Sequence, residues 1–503
     1  MFLFDLFKKK KQSKSSDSKR SVESGFLKHN KRSFESGLID RLSQDFLGVS
    51  LDPNESLEAT LTQSKRRTRQ LYYNGDYCRH YVKLMVKNVI GQKGITLVLN
   101  NEFKNNKESR KVNERILREF KTFCKKQYFS SDKKLSFLKA QKLFQRCHSI
   151  DGEVLITISR SKPNRQNPFG ISFKVLSSNQ LDITYQARLT NDNRVQMGIE
   201  LNQDDVVVAY HLTDKNPDTN HILSPRKQDR KRLDAKHVIH AYEIELAGQL
   251  RGIPPLVSAT KNAHQLQKYY EAELISARVG ACKMGLFTSE EGEEYLGDDK
   301  GNNNEIIMDA SPGTFQKLPR GVHLETFDPK HDSNSFNSFK KAQLMGMGAG
   351  VGLSYSTLGN DLESVNYSSI RQGVLEERET YKEAQEFICE EFCKPIFEEW
   401  LKWQLSFGVL KDLSNKYTFE ELNNTDFKPK GFGWIDPQKE MTAFKVGLEN
   451  NMITLTDILS ARGETLEGHL KKIQRENELF KEYGIERNIE KEKEVVSKNE
   501  QKN

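Results

Sequence analysis

Apolar residues recur at three- to four-residue intervals, or multiples of them, through NYSSIRQGVLEERETYKEAQEFICEEFCKPIFEEWLKWQ, residues 366–404. Ile370, Val374, Tyr381, Ile388, Phe392 and Ile396 carry the pattern, with acids and Lys or Arg between them. This spacing predicts one long helix buried on one face, with Ser368 and Ser369 placed to cap its start. The segment before it, GMGAGVGLSYSTLGNDLESV, breaks every regular pattern. Its glycines at 346, 348, 350 and 352 predict close backbone packing or helix termination, then an irregular loop beside a second helix. Helix, irregular loop, long helix suits a mechanical part better than a pocket.

Elsewhere the periods alternate. Residues 34–63 are polar and expected to be irregular, and helices then alternate with charged loops to about residue 149. ESRKVNERILREFKTFCKKQYF and DKKLSFLKAQKLFQRCHSI both have helical spacing. GEVLITIS, GISFKVLSSNQLDI, RVQMGIEL and DVVVAYHL are short, rich in β-branched residues and bounded by Gly, Asn or Asp, which predicts a mainly antiparallel sheet. Pro254 and Pro255 open a helix expected from Leu256 to about Gly285, about 45 Å long. From Leu286 the pattern gives way to a Gly-, Asn- and acid-rich insertion with two short strand candidates, and helical spacing resumes near Phe336. The fold class expected is α+β.

Only 36% of the 503 residues are hydrophobic, and no apolar run approaches the roughly 18 residues of a membrane helix. The opening MFLFDLF is too short for a signal-peptide core and precedes its Lys run instead of following it, so synthesis in the cytoplasm is expected. Cys78, Cys124, Cys147, Cys282, Cys389 and Cys393 include no CxxC pair. Cys389 and Cys393 share a helix face but lack further ligands at zinc spacing, so reduced, packed thiols are expected.

Charge is unevenly placed. Residues 1–33 hold ten Lys or Arg against Asp5, Asp17 and Glu23, a net +7 of the chain's +8, leaving +1 for residues 34–503. The arm reads as disordered. Two internal basic clusters, Lys65, Arg66, Arg67 and Arg69, then Arg226, Lys227, Arg230, Lys231, Arg232 and Lys236, read as solvated loop charge or as partners for acids on a neighbouring subunit. Residues 469–503, with nine Lys or Arg and eight Glu, read as a solvated, fraying helix.

Catalytic motifs are missing. There is no GK dipeptide, which excludes a GxxxxGK[ST] phosphate loop, and there is no HExxH or GxSxG. The glycines from 346 do not satisfy GxGxxG. No catalytic residue, metal site or cofactor is expected.

The run GMGAGVGLSYSTLGNDLESVNYSSIRQGVLEE resembles the tunnel-loop region of lambda-type portal proteins of tailed phages. Three further stretches match in order. RQLYYNGDYCRHYVKLMVKNVIGQKGITL resembles the family's early helix ending in a Val-Ile-Gly turn, and HVIHAYEIELAGQLRGIPPL its strand and Gly-Gln-x-Arg-Gly-x-Pro approach to the stem. GWIDPQKEMTAFKVGLENNMITLTDILSARG resembles its C-terminal Trp-x-Asp-Pro region. Together they span about residues 64–463.

The resemblance implies a portal-type subunit divided as follows: a disordered basic arm (1–33), a wing of helices then antiparallel sheet (34–255), a first stem helix (256–285), a small β-containing clip (286–334) and a second stem helix (335–357). A tunnel loop (358–365), a long kinked wing helix (366–404), a helical crown (405–468) and a charged tail (469–503) follow. Its implied role is a non-enzymatic ring, in family members usually of twelve copies, at one capsid vertex of the virion, made in the host bacterial cytoplasm. Double-stranded DNA would pass through it during packaging and ejection. Partners would be other copies of the chain, the terminase large subunit, major capsid or scaffold proteins and head-completion adaptors, with no membrane.

The residues implied to face DNA are Leu358, Gly359, Asn360, Asp361, Leu362, Glu363, Ser364 and Val365. Among them Asp361 and Glu363 would repel phosphates, while Asn360 and Ser364 would offer weak hydrogen bonds. Asn366, Tyr367, Ser368, Ser369 and Arg371 would start the following helix, and Gln249, Arg251, Gly252 and Pro254 would form the approach to the stem. Leu266 and Leu274 are expected to face a neighbour in the ring. The arm would serve as a solubilising tail or touch DNA or another virion component. The alternatives are a DNA-processing enzyme, nuclease or terminase-like, and a monomeric assembly scaffold or adaptor.

Overall fold

A computed structural model describes residues 52–103, 106–190, 192–213, 230–281, 285–289, 322–326, 333–363, 366–433, 436–462 and 465–484. The basic arm, most of the insertion and the last residues of the tail therefore lie outside the described residues. The chain divides into a unit ending at Glu55 and a larger one from Ser56 onward.

Helix α1, Pro53–Asn74, starts inside the stretch expected to be irregular. Leu57 and Leu61, four apart, are buried with Met197 from a distant turn and anchor its first turns. Helix α2, Asp76–Met85, widens into a π-turn at Val86–Ile90 and stops at Gly91, whose φ of 68° favours glycine. Helices α3 (Asn106–Phe123), α4 (Lys126–Phe129) and α5 (Phe137–Asp151) follow, the last capped by the Ser136 hydroxyl accepting from the Lys139 N–H.

The β-rich block forms two sheets. Strands β2 (Glu153–Arg160), β3 (Ile171–Leu176) and β9 (Val238–Tyr242) pair antiparallel with β2 in the centre. Strands β4 (Ala187–Arg188), β5 (Arg194–Gln196), β6 (Ile199–Leu201), β7 (Val207–Thr213) and β8 (Arg230–Asp234) form an antiparallel meander. RVQMGIEL, expected as one strand, is a hairpin. Met197 and Gly198 at its middle have φ of 49° and 82°, the paired left-handed residues of a tight two-residue turn.

The predicted long helix is continuous from Tyr367 to Phe407. It runs as α9 (Tyr367–Ile388), a π-turn (Cys389–Cys393) and α10 (Lys394–Phe407). Pro395 explains the wide turn, because it has no N–H for the carbonyl four residues back and its ring crowds that carbonyl. Ile388, Phe392, Ile396 and Trp400 from this helix are buried against Phe120, Phe123, Phe137, Phe144 and Phe173, forming the main core. Ser368 and Ser369 lie within the first turn of α9 instead of capping it. The Asn366 carbonyl accepts the first helical bond, from Ile370 N–H.

Within residues 405–468, expected to be helical, the short α11 (Phe419–Leu422) is followed by strand β12 (Thr425–Lys428). This strand pairs antiparallel with β1, Thr96–Leu99. Helices α12 (Pro437–Glu449), α13 (Leu455–Ala461) and α14 (Leu466–Glu482) complete the described chain.

Acid should expose one weakness of this core. His148 on α5 is buried beside the rings of Phe144 and Phe387, and burial pushes its imidazole down to about 4. The unfolded chain takes a proton there near pH 6.5 and the folded chain does so only near pH 4. The associated stability is complete above pH 6.5 and falls by about 1.4 kcal/mol per pH unit below it. Glu243 works in the opposite sense, because burial, then Glu245 and Glu383, raise its carboxyl. His148→Gln should therefore flatten the difference in urea-unfolding free energy between pH 6.5 and 4.5 by about 2 kcal/mol relative to the parent. Parallel pH profiles for the two proteins would mean that this imidazole is not excluded from its proton.

Candidate functional site

Two antiparallel helices dominate the region singled out by the sequence. Helix α6, Val257–Ala281, starts after Pro254, whose carbonyl accepts from Val257 N–H at 2.9 Å. Beyond it the chain runs into strand β10, Gly285–Ser289, paired antiparallel with β11, Val322–Thr326, and returns as α7, Ser333–Val351. The cross-contacts run in one register. The Ser258 hydroxyl donates to Gly350 O at 2.7 Å, Asn262 faces Gly346, and the Tyr269 ring lies 4.5 Å from that of Phe339.

The glycines explain how closely the helices approach. A Cβ at Gly350 would sit 2.8 Å from Ser258 Oγ, and one at Gly346 would sit 2.8 Å from Asn262 Nδ2. Thus Gly346, Gly348 and Gly350 lie within α7, and only Gly352, at φ 69°, ends it. On the outward faces Leu274 and Ile275 are 53% and 60% exposed and Met345 is 53% exposed. Leu266, expected to face a neighbour, is 1% exposed and belongs to the chain's own core.

The segment leading into α6 is built on buried charge. Glu153, at the start of β2, is fully buried, and Arg251 grips it with Nε at 2.9 Å and Nη2 at 2.6 Å. Lys65 Nζ donates to the same carboxylate at 2.5 Å, the Gly252 N–H at 3.1 Å, and His240 Nε2 lies 3.1 Å away. Burial alone would raise this carboxyl, but Arg251 and then Lys65 hold it well below the usual range. Arg69 forks onto Asp151 at 2.7 and 2.8 Å, and Ser178 bridges Asp151 and Lys65. Lys65 and Arg69 are thus neither solvated nor left for a neighbour. Arg230 and Arg232 likewise pair within the chain, with Asp182 and Glu200; Arg226 and Lys227 lie outside the described residues.

Gln249 holds the turn before α6. Its amide accepts from Glu245 and Leu246 N–H and donates to Glu243 O and Arg251 O. Gly252 permits contact with Gly152, since a Cβ there would come within 2.2 Å of the Gly152 carbonyl oxygen.

The segment expected as an eight-residue loop begins as a short helix. Helix α8, Tyr355–Gly359, is capped by the Ser354 hydroxyl accepting from Thr357 N–H. Leu358 is buried in the main core, and Asn360 adopts the left-handed conformation that ends the helix. The Tyr355 hydroxyl donates to Asp361 Oδ2 at 2.5 Å, and the Glu363 N–H donates to Oδ1 at 3.1 Å. These two bonds, then Lys340 and Lys341, hold the Asp361 carboxyl below its usual range, while burial and then Asp361 push the Tyr355 phenol up to about 12. Asp361 thus closes the turn as an ionised carboxylate. Asn360, Leu362, which is 65% exposed, and Glu363 are the exposed described residues of this turn. Ser364 and Val365 lie outside the described residues, as do the side chains of Tyr367, Ser368 and Ser369. Arg371 is half-buried on α9.

Among the described residues no three His, Cys, Asp or Glu side chains converge as metal ligands, and no helix is long and apolar enough to cross a membrane.

The sequence profile of the lambda family of phage portal proteins matches residues 40–385, well over half of the chain. The chain belongs to this family. A probable portal protein of Halomonas phage phiHAP-1 is 30% identical over 465 residues, covering 90% of this chain and 88% of its own. Portal protein B of Escherichia phage lambda is 20% identical over 452 residues, with 82% and 83% covered. Among solved structures, a chain from the neck of an empty gene transfer agent particle covers 84% of this portal protein and 98% of itself at 11% identity, with a TM-score of 0.41. Sequence reasoning found the helix pair and the turn of this portal protein. It missed Glu153, the anion on which Lys65, His240 and Arg251 converge; the one signal was an acid opening a strand of alternating β-branched residues, Glu153 in GEVLITIS.

Proposed function

We propose that about twelve copies of this portal protein form a ring at one capsid vertex, through which double-stranded DNA passes during packaging and ejection. In this reading α6 and α7 are the stem, the β10–β11 pair belongs to the clip that docks the terminase large subunit and later the head-completion adaptors, and capsid or scaffold proteins meet the wing. The chain is structural, and ATP hydrolysis belongs to the motor.

The observation that carries the reading is the α6–α7 pair. Its inner faces approach closely at glycines, and Leu274, Ile275 and Met345 are exposed among the described residues. A ring neighbour would bury them in a heterologous, closing interface. Glu363 and Leu362 would project toward DNA, with Asp361 and Asn360 shaping the turn that presents them. The near-neutral residues 34–503 suit passage, since each strong phosphate contact must be broken at every step.

Packaging tests the conduit. Glu363→Lys should leave heads assembled but slow DNA entry, and moderate salt should relieve the defect, because an exposed charge is screened within about 10 Å at 0.1 M. Packaging at the parental rate in low salt would remove Glu363 from the channel wall.

A further inference from the structure

The basic residues that stood out in the sequence are paired within the chain, Lys65 and Arg69 with Glu153 and Asp151, Arg230 and Arg232 with Asp182 and Glu200. A different set of cations is not. Arg79, Lys83 and Lys87 recur every four residues along α2 and its π-turn, all exposed. With Lys142 and Arg146 of α5 they line a cavity of about 590 Å³. No Asp or Glu lines it among the described residues, and none of the five makes an ion pair there. Lys430, which also lines it, donates to neutral acceptors, Asn88 Oδ1 at 3.2 Å and Lys87 O at 3.4 Å. Like charges gathered in this way destabilise the free chain and are relieved by an anionic partner.

The long helix carries the opposite sign. Glu376, Glu383 and Glu390 recur at seven residues, and Glu379 and Glu386 fall between them, so the five share one side of α9 and its π-turn, and all are exposed. Lys382 takes Glu379, and the Gln372 amide donates to Glu376. Glu383, Glu386 and Glu390 make no ion pair among the described residues. Their field reaches their neighbours: burial and then Glu390 raise the Glu391 carboxyl, as burial, Glu245 and Glu383 raise that of Glu243. The helical rise puts Glu383 and Glu390 about 10 Å apart along the axis, and Arg79 and Lys87 about 12 Å apart, so acids and cations come at similar intervals.

We propose that the acidic side of α9 in one copy of the chain docks on the cation-lined cavity of the next. The inference rests on the ring reading, in which a heterologous interface sets two different faces of the subunit against each other, and it names a pair of faces away from the stem. Both halves of the contact are present on one chain, as a ring of identical subunits requires. Complementary charge across such an interface fixes register and excludes wrong pairings as well as attracting. A subunit contact is made once and held, whereas moving DNA would have to break each phosphate contact at every step.

Sedimentation of the full chain over a range of concentrations, at low and at high salt, tests the contact. Arg79→Glu, Lys83→Glu and Lys87→Glu together should raise the concentration for half-assembly by about tenfold or more, and so should Glu383→Lys, Glu386→Lys and Glu390→Lys together. Combining both sets in one chain should bring assembly back to within about threefold of the parent. Mixing the two defective variants should do the same, because each offers the sign that its neighbour has lost and the two alternate around the ring; a contact with any other partner predicts no such recovery. Either set assembling like the parent, or a combination or mixture that stays apart while circular dichroism shows folded chains, would overturn the proposal. If a reversal unfolds the chain, Gln at the same three positions removes charge without adding repulsion, and half-assembly should then depend less on salt than the parent's; an equal dependence would be as damaging. A parent chain that stays monomeric at every concentration would sink the ring reading itself, whereas parent rings indifferent to the reversals would sink this contact alone.

Discussion

Glu153→Gln should be the most damaging single-atom change in this chain. The variant retains the shape of the side chain but leaves the buried Arg251 and Lys65 facing an amide, two cations without their shared anion. Removing one partner of a buried ion pair typically costs about 3–5 kcal/mol, far more than the pair contributes over an apolar replacement. We expect the melting temperature to fall by on the order of 10 °C, with much of the protein insoluble on expression. Lys65→Met should be milder, because Arg251 and Glu153 still match one to one, and adding it to Glu153→Gln should recover part of the loss. Arg251→Lys keeps the charge but loses the two-pronged grip and the bonds to Met197 O and Leu181 O, so it should fall between them. Calorimetry showing Glu153→Gln within about 2 °C of the parent would mean that the network relaxes or admits water.

The second large effect concerns assembly. Leu274→Asp combined with Ile275→Asp should leave the chain folded and abolish rings, because both side chains are outside the core of the chain and would lie between neighbours. Leu266→Asp should do something different: placed in the core, its charge should prevent folding, so loss of rings in that variant says nothing about the interface. Native mass spectrometry and far-ultraviolet circular dichroism separate the cases. Rings of unaltered mass from the Leu274–Ile275 variant would move the subunit interface away from α6.

Both predictions depend on information that the sequence expressed only in part. The long helix after residue 366 was legible because its apolar period is local, and one face of a helix reports burial whatever covers it. The period could not distinguish Leu266, buried within the chain, from Leu274, left outside. Both fit a helix face, and only the path of α7 decides between them. The loop at 358–365 was similarly half-visible. Its glycine, asparagine and aspartate marked a turn, but the helical turn of Tyr355–Gly359 and the capture of Asp361 by Tyr355 depend on the packing of Leu358 into the core.

By itself the sequence determined the α+β class, the two helices around an interrupted insertion, the antiparallel strands, the punctuation at Pro254 and Gly352, and a family resemblance that the lambda-type portal profile matches over residues 40–385. These are signals carried by neighbouring residues, whose backbone preferences act over a few positions. Only the tertiary structure decided which charges meet. Lys65 and Arg251 reach Glu153 across 88 and 98 positions, and β1 finds β12 more than 300 residues away. A count of Lys and Glu gave residues 34–503 a net +1 and an appearance of neutrality. Folding instead brought particular opposite charges together, as at Lys65–Glu153 and Arg69–Asp151, because Coulomb energy depends on distance in space and composition carries no distances.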